Sequence, residues 1–530
     1  MTTFNLKEVL LKLVTKIRPS DATGHNKLGV IYYNSQKFSK AINCYKRALE
    51  IDPNHLSANI NLGIVYQNLG EFYKAIDCFK KTIEIDSNNI VTLINLGNLF
   101  FKIDELHSAI NCYEKALEID PKNLDSYNNL GAVFIELGEY EKAKKVFKKI
   151  IELNSNYIMS YNNLGSIYNK LGEPDEAINI YKKVLELDPN FISAQKRIAL
   201  TYVRKLDLDN AVSASYKSLK MHNSNLKFIN KSIPLFRLKH DVQQAKYLSS
   251  KNYNVDGIDK FQKIGSEILY RKENKENKNN FNKKILLNES EINALLPFYK
   301  SNLIYKPKVL SQNYINPNKN WLEVEKEYFN NSKQIIFIDD FLSEETAKEL
   351  REFCLISKVW HKEYYNPFLG AFADNGFISQ IHLQIAKDLQ IKLPKLFGPH
   401  NLGTLWGYKY DSTLGKGINV HADFAIHNLN FWITPDEFNN NKKSGGLKVY
   451  DVPAPNNWTY KDYNAKTDKI YKFLKDNNAN FTNVPYKFNR AVLFNSAYFH
   501  ETDEIDFKDE YEGRRINMTY LFGSRLVKKK

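Results

Sequence analysis

From residue 22 to residue 191 the chain repeats itself every 34 residues, and that period restricts the fold more than any other feature. A Leu-Gly pair recurs at Leu28-Gly29, Leu62-Gly63, Leu96-Gly97, Leu130-Gly131 and Leu164-Gly165. Three residues after each glycine stands an aromatic: Tyr32, Tyr66, Phe100, Phe134 and Tyr168. Twelve residues after it stands an alanine (Ala41, Ala75, Ala109, Ala143, Ala177), and sixteen after it a second aromatic (Tyr45, Phe79, Tyr113, Phe147, Tyr181). Pro53, Pro121 and Pro189 close three of the five repeats. A unit this short buries its apolar face only against a like neighbour, so the pattern predicts a stack of helix pairs. A small residue on each helix allows close approach, the aromatics fill the gap, and proline stops the second helix.

At nearly every signature position this pattern resembles the tetratricopeptide repeat. A sixth unit at 192–225 is degraded, with Ala199 in place of the glycine and Ser215 in place of the second aromatic. A capping unit that faces water is its natural reading. Cys44, Cys78 and Cys112 share the 34-residue spacing; with Cys354 they read as reduced, buried thiols rather than a disulfide or zinc set. Asn61, Asn95, Asn129 and Asn163 precede the Leu-Gly pairs, with Lys27 in the first repeat. The resemblance implies that this column lies on the concave repeat surface. Stacked amides there both donate and accept, so they suit the backbone of a bound protein or peptide. Asparagine is also common throughout the chain, which leaves a merely compositional origin open.

At 530 residues the chain requires more than one core. Three parts are expected: a solenoid over 1–225, a helical and charged connecting segment over 226–330, and a further domain over 331–530. The first twenty residues alternate Lys with Leu and Val and lack an unbroken apolar run, so no secretory signal is read there. No window approaches a membrane span, and a soluble, cytoplasmic protein is expected. The net charge of +15 is spread along the chain rather than gathered into a stripe, so nucleic acid is not the expected partner. The densest run, 271–284, is interrupted by Glu273 and Glu276 and reads as a solvated linker.

Beyond residue 334 the texture changes. A short apolar strand precedes Ser343, which caps a helix with acidic residues in its first turn. Strand-like runs follow ("LGTLWGYKY", "GINVHADF", "HNLNFWIT", "GGLKVYDV", "RAVLFNSAYFH", "RRINMTYLFG"), which predicts an antiparallel barrel or sandwich. His421 and Asp423 are one residue apart, so on a strand both emerge from one face. His500 ends a later run. Two histidines and a carboxylate form a facial set that suits non-haem Fe(II) and leaves positions open. His427 opens the next run with no carboxylate two residues away, and it reads as a neighbour of the set.

Residues 334–525 resemble the 2-oxoglutarate/Fe(II)-dependent dioxygenases. The resemblance implies a double-stranded β-helix (jelly-roll) with flanking helices, with His421, Asp423 and His500 as catalytic ligands of Fe(II). It implies that Arg515, on the strand after the distal histidine, binds the far carboxylate of 2-oxoglutarate. A guanidinium gives that carboxylate a bidentate match. Asn517 would assist and Tyr410 would hydrogen-bond the cosubstrate, with O2 as the second cosubstrate. Two departures stand out: the gap from His500 to Arg515 is long, and Asn517 occupies a position more often held by Ser or Thr. Arg514 should point the opposite way. Asn428 and Asn430 are candidate contacts, and Gly445-Gly446 reads as a tight turn. The expected function is a dioxygenase, a hydroxylase whose repeats recruit a protein or peptide substrate. Two alternatives remain: a binding scaffold with an inactive oxygenase-like domain, and a metal hydrolase, against which Arg515 counts.

Overall fold

The computed structural model describes residues 19–228, 231–273, 283–311, 313–364, 368–411 and 417–525; the N-terminal run and most of the charged run 271–284 lie outside the described residues. The chain divides into two compact units, Met1–Leu187 and Asp188–Lys530.

In the first unit ten helices form five pairs among the described residues, from Ala22–Asn34 and Phe38–Ile51 to Ile158–Leu171 and Pro174–Leu187. The column alanines and the second aromatics are almost fully buried. Each column glycine faces one of those rings: a Cβ on Gly97 would lie 2.6 Å from Tyr113, and one on Gly63 would lie 2.6 Å from Phe79. The period is therefore written by contact between a bare backbone and a ring. Asn89 and Asn123 cap first helices by accepting from the backbone N–H of Thr92 and Ser126. Proline is not what closes every repeat. In all five, an Asp or Asn side chain (Asp52, Asp86, Asp120, Asn154, Asp188) accepts from the N–H two residues on and sets the turn.

The second unit begins with the degraded sixth repeat, helices Ile192–Arg204 and Leu208–Ser224. Strands β1 (Ser232–Pro234) and β2 (Lys284–Leu286) pair antiparallel, and helices Leu235–Ser250, Ile258–Glu273, Glu289–Lys300 and Trp321–Asn330 occupy the rest of the connecting segment. This segment is more than a bridge. Arg237 and Asp241 form a buried ion pair at 2.5 Å, and Arg237 also donates to the carbonyl of Trp360.

Ten strands follow: β3 (Ile335–Ile338), β4 (Lys362–Glu363), β5 (Phe368–Phe372), β6 (Leu402–Tyr410), β7 (His427–Trp432), β8 (Leu447–Pro453), β9 (Phe481–Val484), β10 (Ala491–Asn495), β11 (Tyr498–Thr502) and β12 (Ile516–Phe522). They form two antiparallel sheets, ordered β3-β10-β7-β12-β6-β5-β4 and β11-β8-β9. One core joins them: Tyr410, Trp432, Val492 and Phe494 of the large sheet pack with Leu447, Val449 and Val484 of the small one. The other face of the large sheet, with Leu405, Leu429, Phe431, Met518 and Tyr520, packs on helices Glu344–Ile356 and Gln380–Lys392. Ser343 caps the first of these helices as its sequence predicts. No helix among the described residues is long and apolar enough to cross a membrane.

Residues 418–426 differ from the strand expected there. Only His421 makes a ladder contact, an antiparallel bridge to His500. Ala422 N–H turns instead to the carbonyl of Tyr463, and Asp423 N–H to that of Ser496, so the backbone leaves β11 after a single pair.

Two predictions follow from this packing. Gly97→Ala adds a methyl group into the Tyr113 ring, and the repeat unit should lose about 1–3 kcal/mol despite alanine's better helix propensity. An unchanged or raised urea midpoint would contradict it. His382, on helix Gln380–Lys392, is fully buried, and burial holds its imidazole down at about 3. The unfolded chain takes up that proton below about pH 6.5 and the folded chain does not, so stability falls as pH drops from about 6.5 toward 3. His382 should contribute at most about 1.4 kcal/mol per pH unit to the slope, and His382→Leu should lower the slope by up to that amount, read by chemical denaturation at stepped pH.

Candidate active site

The site is built on the bridge between His421 and His500. Each backbone N–H donates to the other's carbonyl, at 3.0 and 2.8 Å, so the two residues are directly opposed and their ring centroids lie 4.3 Å apart. Nδ1 of His421 lies 2.8 Å from the carbonyl of Asn419, and Nδ1 of His500 lies 3.1 Å from that of Tyr498. A carbonyl only accepts, so both Nδ1 atoms carry the proton and both Nε2 lone pairs are left free. Asp423 joins them from two residues along, and ligand atoms of His421, Asp423 and His500 all lie within 4.8 Å of one another. This group could hold a metal ion.

Its electrostatics fit a cation. Nε2 of His500 is 3.4 Å from Oδ2 of Asp423, so a lone pair faces a carboxylate across the gap. Burial, then the neighbouring His500, pushes the His421 imidazole down to about 4, which keeps it neutral. Burial tends to raise the Asp423 carboxyl, but the His500 contact, His421 and Arg525 outweigh it and hold it below its ordinary value.

Asp423 is held in turn. Asn428 on β7 donates to its Oδ2 at 2.6 Å, and Asn430 donates to Oδ1 of Asn428 at 2.6 Å. Oδ1 of Asn430 accepts from Asn517 at 3.0 Å and from Thr519 at 2.6 Å, both on β12. All four side chains are buried, on the interior face of the large sheet. Asn517 is thus engaged with protein amides rather than presented alone, and Thr519 is a partner that the sequence reading missed. The alternation of β12, polar at 517 and 519 between apolar 516, 518 and 520, was the available signal.

Arg515 enters immediately before β12 and is 1% exposed. Nε donates to the carbonyl of Gly445 at 2.5 Å and Nη2 to that of Gly446 at 3.2 Å. The glycines are required: Gly445 has φ +83°, and a Cβ on Gly446 would lie 1.8 Å from the carbonyl oxygen of Val484. The guanidinium lies 4.8 Å from the Tyr410 ring centroid. Nη1 of Arg515 and Oη of Tyr410 are both buried with no well-formed hydrogen bond, and the two groups act on each other at close range. Among the described residues no carboxylate pairs with Arg515. Burial disfavours its charge, and burial also raises the Tyr410 phenol against the pull of Arg515.

The same cavity is lined by His421, Asp423, His500, Tyr410, Arg515, Asn517 and Thr502. It shares Trp406, Tyr408, His421 and Asp423 with a groove of about 630 Å³. Arg514 points elsewhere and pairs with Asp411 at 3.1 Å. His427 also lies apart: its Nδ1 is 3.2 Å from Oη of Tyr328, and its ring packs on Phe397 and His400. The four column asparagines lie in the other unit and are partly exposed. Asn61 donates to Asn26 and Asn129 to Asn98, each at 3.0 Å.

Family models described as tetratricopeptide repeat match residues 22–55, 57–89 and 123–190, and one described as TPR repeat matches 97–138. The periodic region is a tetratricopeptide array. Such a tetratricopeptide array is a protein-binding scaffold. Among solved structures, the crystal structure of MamA protein is 31% identical, covering 32% of this chain and 92% of that one at a TM-score of 0.31. YrrB, described as a TPR protein with an unusual peptide-binding site, is 19% identical over 35% of this chain and 95% of its own, at 0.31. The pilF protein of Pseudomonas aeruginosa is 22% identical over 38% and 91%, at 0.33. No curated protein matches the chain.

The two neighbouring arginines should respond differently to mutation. Asp411→Ala strands a buried Arg514 and should cost about 3 kcal/mol or more. Arg515→Met removes a cation that no acid contacts, with Asp503 acting on it only from beyond ion-pair range, at the loss of two bonds to carbonyls, and should change stability by less than about 1 kcal/mol. Equal, large losses in both urea titrations would make Arg515 a structural residue.

Proposed function

We propose that this protein is a 2-oxoglutarate- and Fe(II)-dependent dioxygenase, a hydroxylase to which the tetratricopeptide array recruits a protein or peptide. The observation that carries the reading is Arg515. A buried guanidinium with one free Nη1 and no acid partner is costly in an empty protein. It makes sense as the anchor of a ligand carboxylate, in the same cavity as a histidine pair with free Nε2 atoms.

His421, Asp423 and His500 would hold Fe(II). Together with 2-oxoglutarate and O2, the metal would supply oxidative decarboxylation, giving succinate and CO2 while a substrate C–H becomes C–OH. The chain's own residues orient and shield. The carbonyls of Asn419 and Tyr498 fix the imidazole tautomers, and Asn428 fixes the carboxylate. The carbonyls of Gly445 and Gly446 aim Arg515, with Tyr410 Oη beside it as a second polar contact for the cosubstrate. Asn517, tied to Asn430 and Thr519, would line the site as a fixed amide. The two sheets that share one core are read as the double-stranded β-helix (jelly-roll) of such enzymes. In the array, Asn61, Asn95, Asn129 and Asn163 offer amides to an extended peptide, and the bonds from Asn61 and Asn129 to neighbouring repeats pre-orient two of them.

A second reading, a tetratricopeptide scaffold with a catalytically inactive oxygenase-like domain, is favoured by the repeat matches, which reach residue 190. Against it, a silent site has no physical need for two free imidazole nitrogens beside an unpaired arginine.

Succinate release decides between them. With Fe(II), 2-oxoglutarate and a lysate-derived substrate fraction, the full chain should form succinate. His421→Ala should lower the rate by at least about 100-fold, and Arg515→Ala should raise the 2-oxoglutarate requirement by about tenfold or more. No Fe(II)-dependent succinate in the parent protein would leave the scaffold reading standing.

A further inference from the structure

The groove beside His421 and Asp423 has a distinct chemistry. Tyr364, Phe368, Phe372, Trp406, Tyr408 and Tyr460 line it, and the first five rings form a connected wall. Tyr364 stacks on Phe368 at 4.4 Å, Phe368 meets Tyr408 edge-on at 5.2 Å, and Phe372 packs beside Trp406 at 6.3 Å. Leu200, from the degraded sixth repeat, adds an aliphatic edge. The protein carries a net charge of +15, yet no Lys or Arg is among the described residues that line this groove. Its carboxylates are Asp423, committed to Asn428 and the histidines, and Asp374.

Asp374 is partly buried in the turn Ala373–Asn375 and forms no ion pair among the described residues; Lys196 acts on its charge only at a distance. The turn is held from both sides by one residue. Oγ of Ser215 donates to the carbonyl of Ala373 at 2.5 Å and accepts from the N–H of Gly376 at 2.7 Å. Ser215 stands where the other five repeats carry a large aromatic. The departure from the repeat pattern therefore fixes the turn that places the acid in the lining of the groove.

An acidic ligand would meet two carboxylates here with no Lys or Arg in the described lining, and a purely apolar one would leave the Asp374 carboxylate desolvated without an ion-pair partner. A cation on an aliphatic stem satisfies both parts: the stem lies on the rings, and the charge meets π faces and the acid. We propose that the groove binds a basic side chain, lysine or arginine presented by a polypeptide, and that Asp374 selects it. This rests on the dioxygenase reading for the meaning of the neighbouring site, and it specifies that reading's substrate.

The test is binding to the full chain, followed by tryptophan fluorescence and equilibrium dialysis. The probes are blocked pentapeptides carrying lysine, arginine, norleucine or glutamate between glycines, with free lysine as a separate arm. Each is measured with and without Mn(II) and 2-oxoglutarate, and Mn(II) binding is scored on its own. Lysine or arginine peptides should bind at least about fivefold tighter than norleucine, and glutamate weakest. Asp374→Asn should abolish the preference, and Asp374→Lys should invert it toward glutamate while Mn(II) binding is unchanged. A smaller preference, a preference that survives Asp374→Asn, or no binding of any peptide at about 1 mM overturns the proposal. Free lysine binding as tightly as the peptide overturns the polypeptide source. Failure of Mn(II) to bind counts against the dioxygenase reading alone, because the peptide preference is also read without metal.

Discussion

The backbone pair between His421 and His500 is the constraint on which the site depends. Two backbone hydrogen bonds pair His421 with His500, and upstream Ile418 is bonded to Thr502, so an otherwise irregular segment is held against β11 at two points. That one pair sets the separation of the imidazoles. The carbonyls two residues upstream on each side then settle which nitrogen keeps its proton. Because Asp423 leaves β11 for Ser496, its carboxylate comes round to the same gap that the rings face. A regular strand here would also have put His421 and Asp423 on one face, but it would have continued the pairing with β11.

Around that pair, sheet parity distributes polarity. On β7 the odd residues Leu429 and Phe431 face the helices, while Asn428 and Asn430 face the sandwich interior. On β12 Met518 and Tyr520 take the helix side, and Asn517 and Thr519 take the interior. A one-residue slip of either strand would place two amide or hydroxyl groups against aliphatic helices and point Leu429 of β7, or Met518 of β12, at the site. The apolar packing of the outer face thus enforces the register of the polar ladder. The ladder in turn delivers a hydrogen bond to Asp423.

Much of this was legible in the sequence where the signal is local. The 34-residue period, the alternating strands and the Ser343 cap are properties of neighbouring residues, so they survive without coordinates. His421, Asp423, His500 and Arg515 could be singled out because their residue types are unusual in strand-like runs. What stayed hidden depends on distant partners. Asn428 and Asn430 read as possible ligand contacts, and only pairing with β12 shows them bonded to Asp423, Asn517 and Thr519. The carbonyls of Gly445 and Gly446 carry no sequence signature of holding a guanidinium. Segment 226–330 read as a bridge because charge is visible in sequence but its burial is not: Arg237 and Asp241 look like surface residues until Trp360 closes over them.

The sixth repeat shows why a departure from a pattern can carry more than the pattern. Terminal repeats lose their signature when they no longer stack on a like neighbour, and Ala199 and Ser215 invite that account. The structure gives a more specific one. Tyr202 and Ala211 keep their repeat positions, so the helix pair retains its internal packing. The glycine becomes Ala199 and the ring that would pack on it becomes Ser215, whose hydroxyl bonds the turn at 373–376. A tyrosine at 215 would need the volume that this turn occupies, and would remove both hydrogen bonds that hold it. Arg204, at the end of the first helix of the pair, bonds the carbonyl of Gly403 on β6, so the same repeat is fastened to the strand that carries Trp406 and Tyr408. The degraded helix pair contributes Leu200 to the groove beside the histidine pair, and its altered residue holds the turn that carries Asp374.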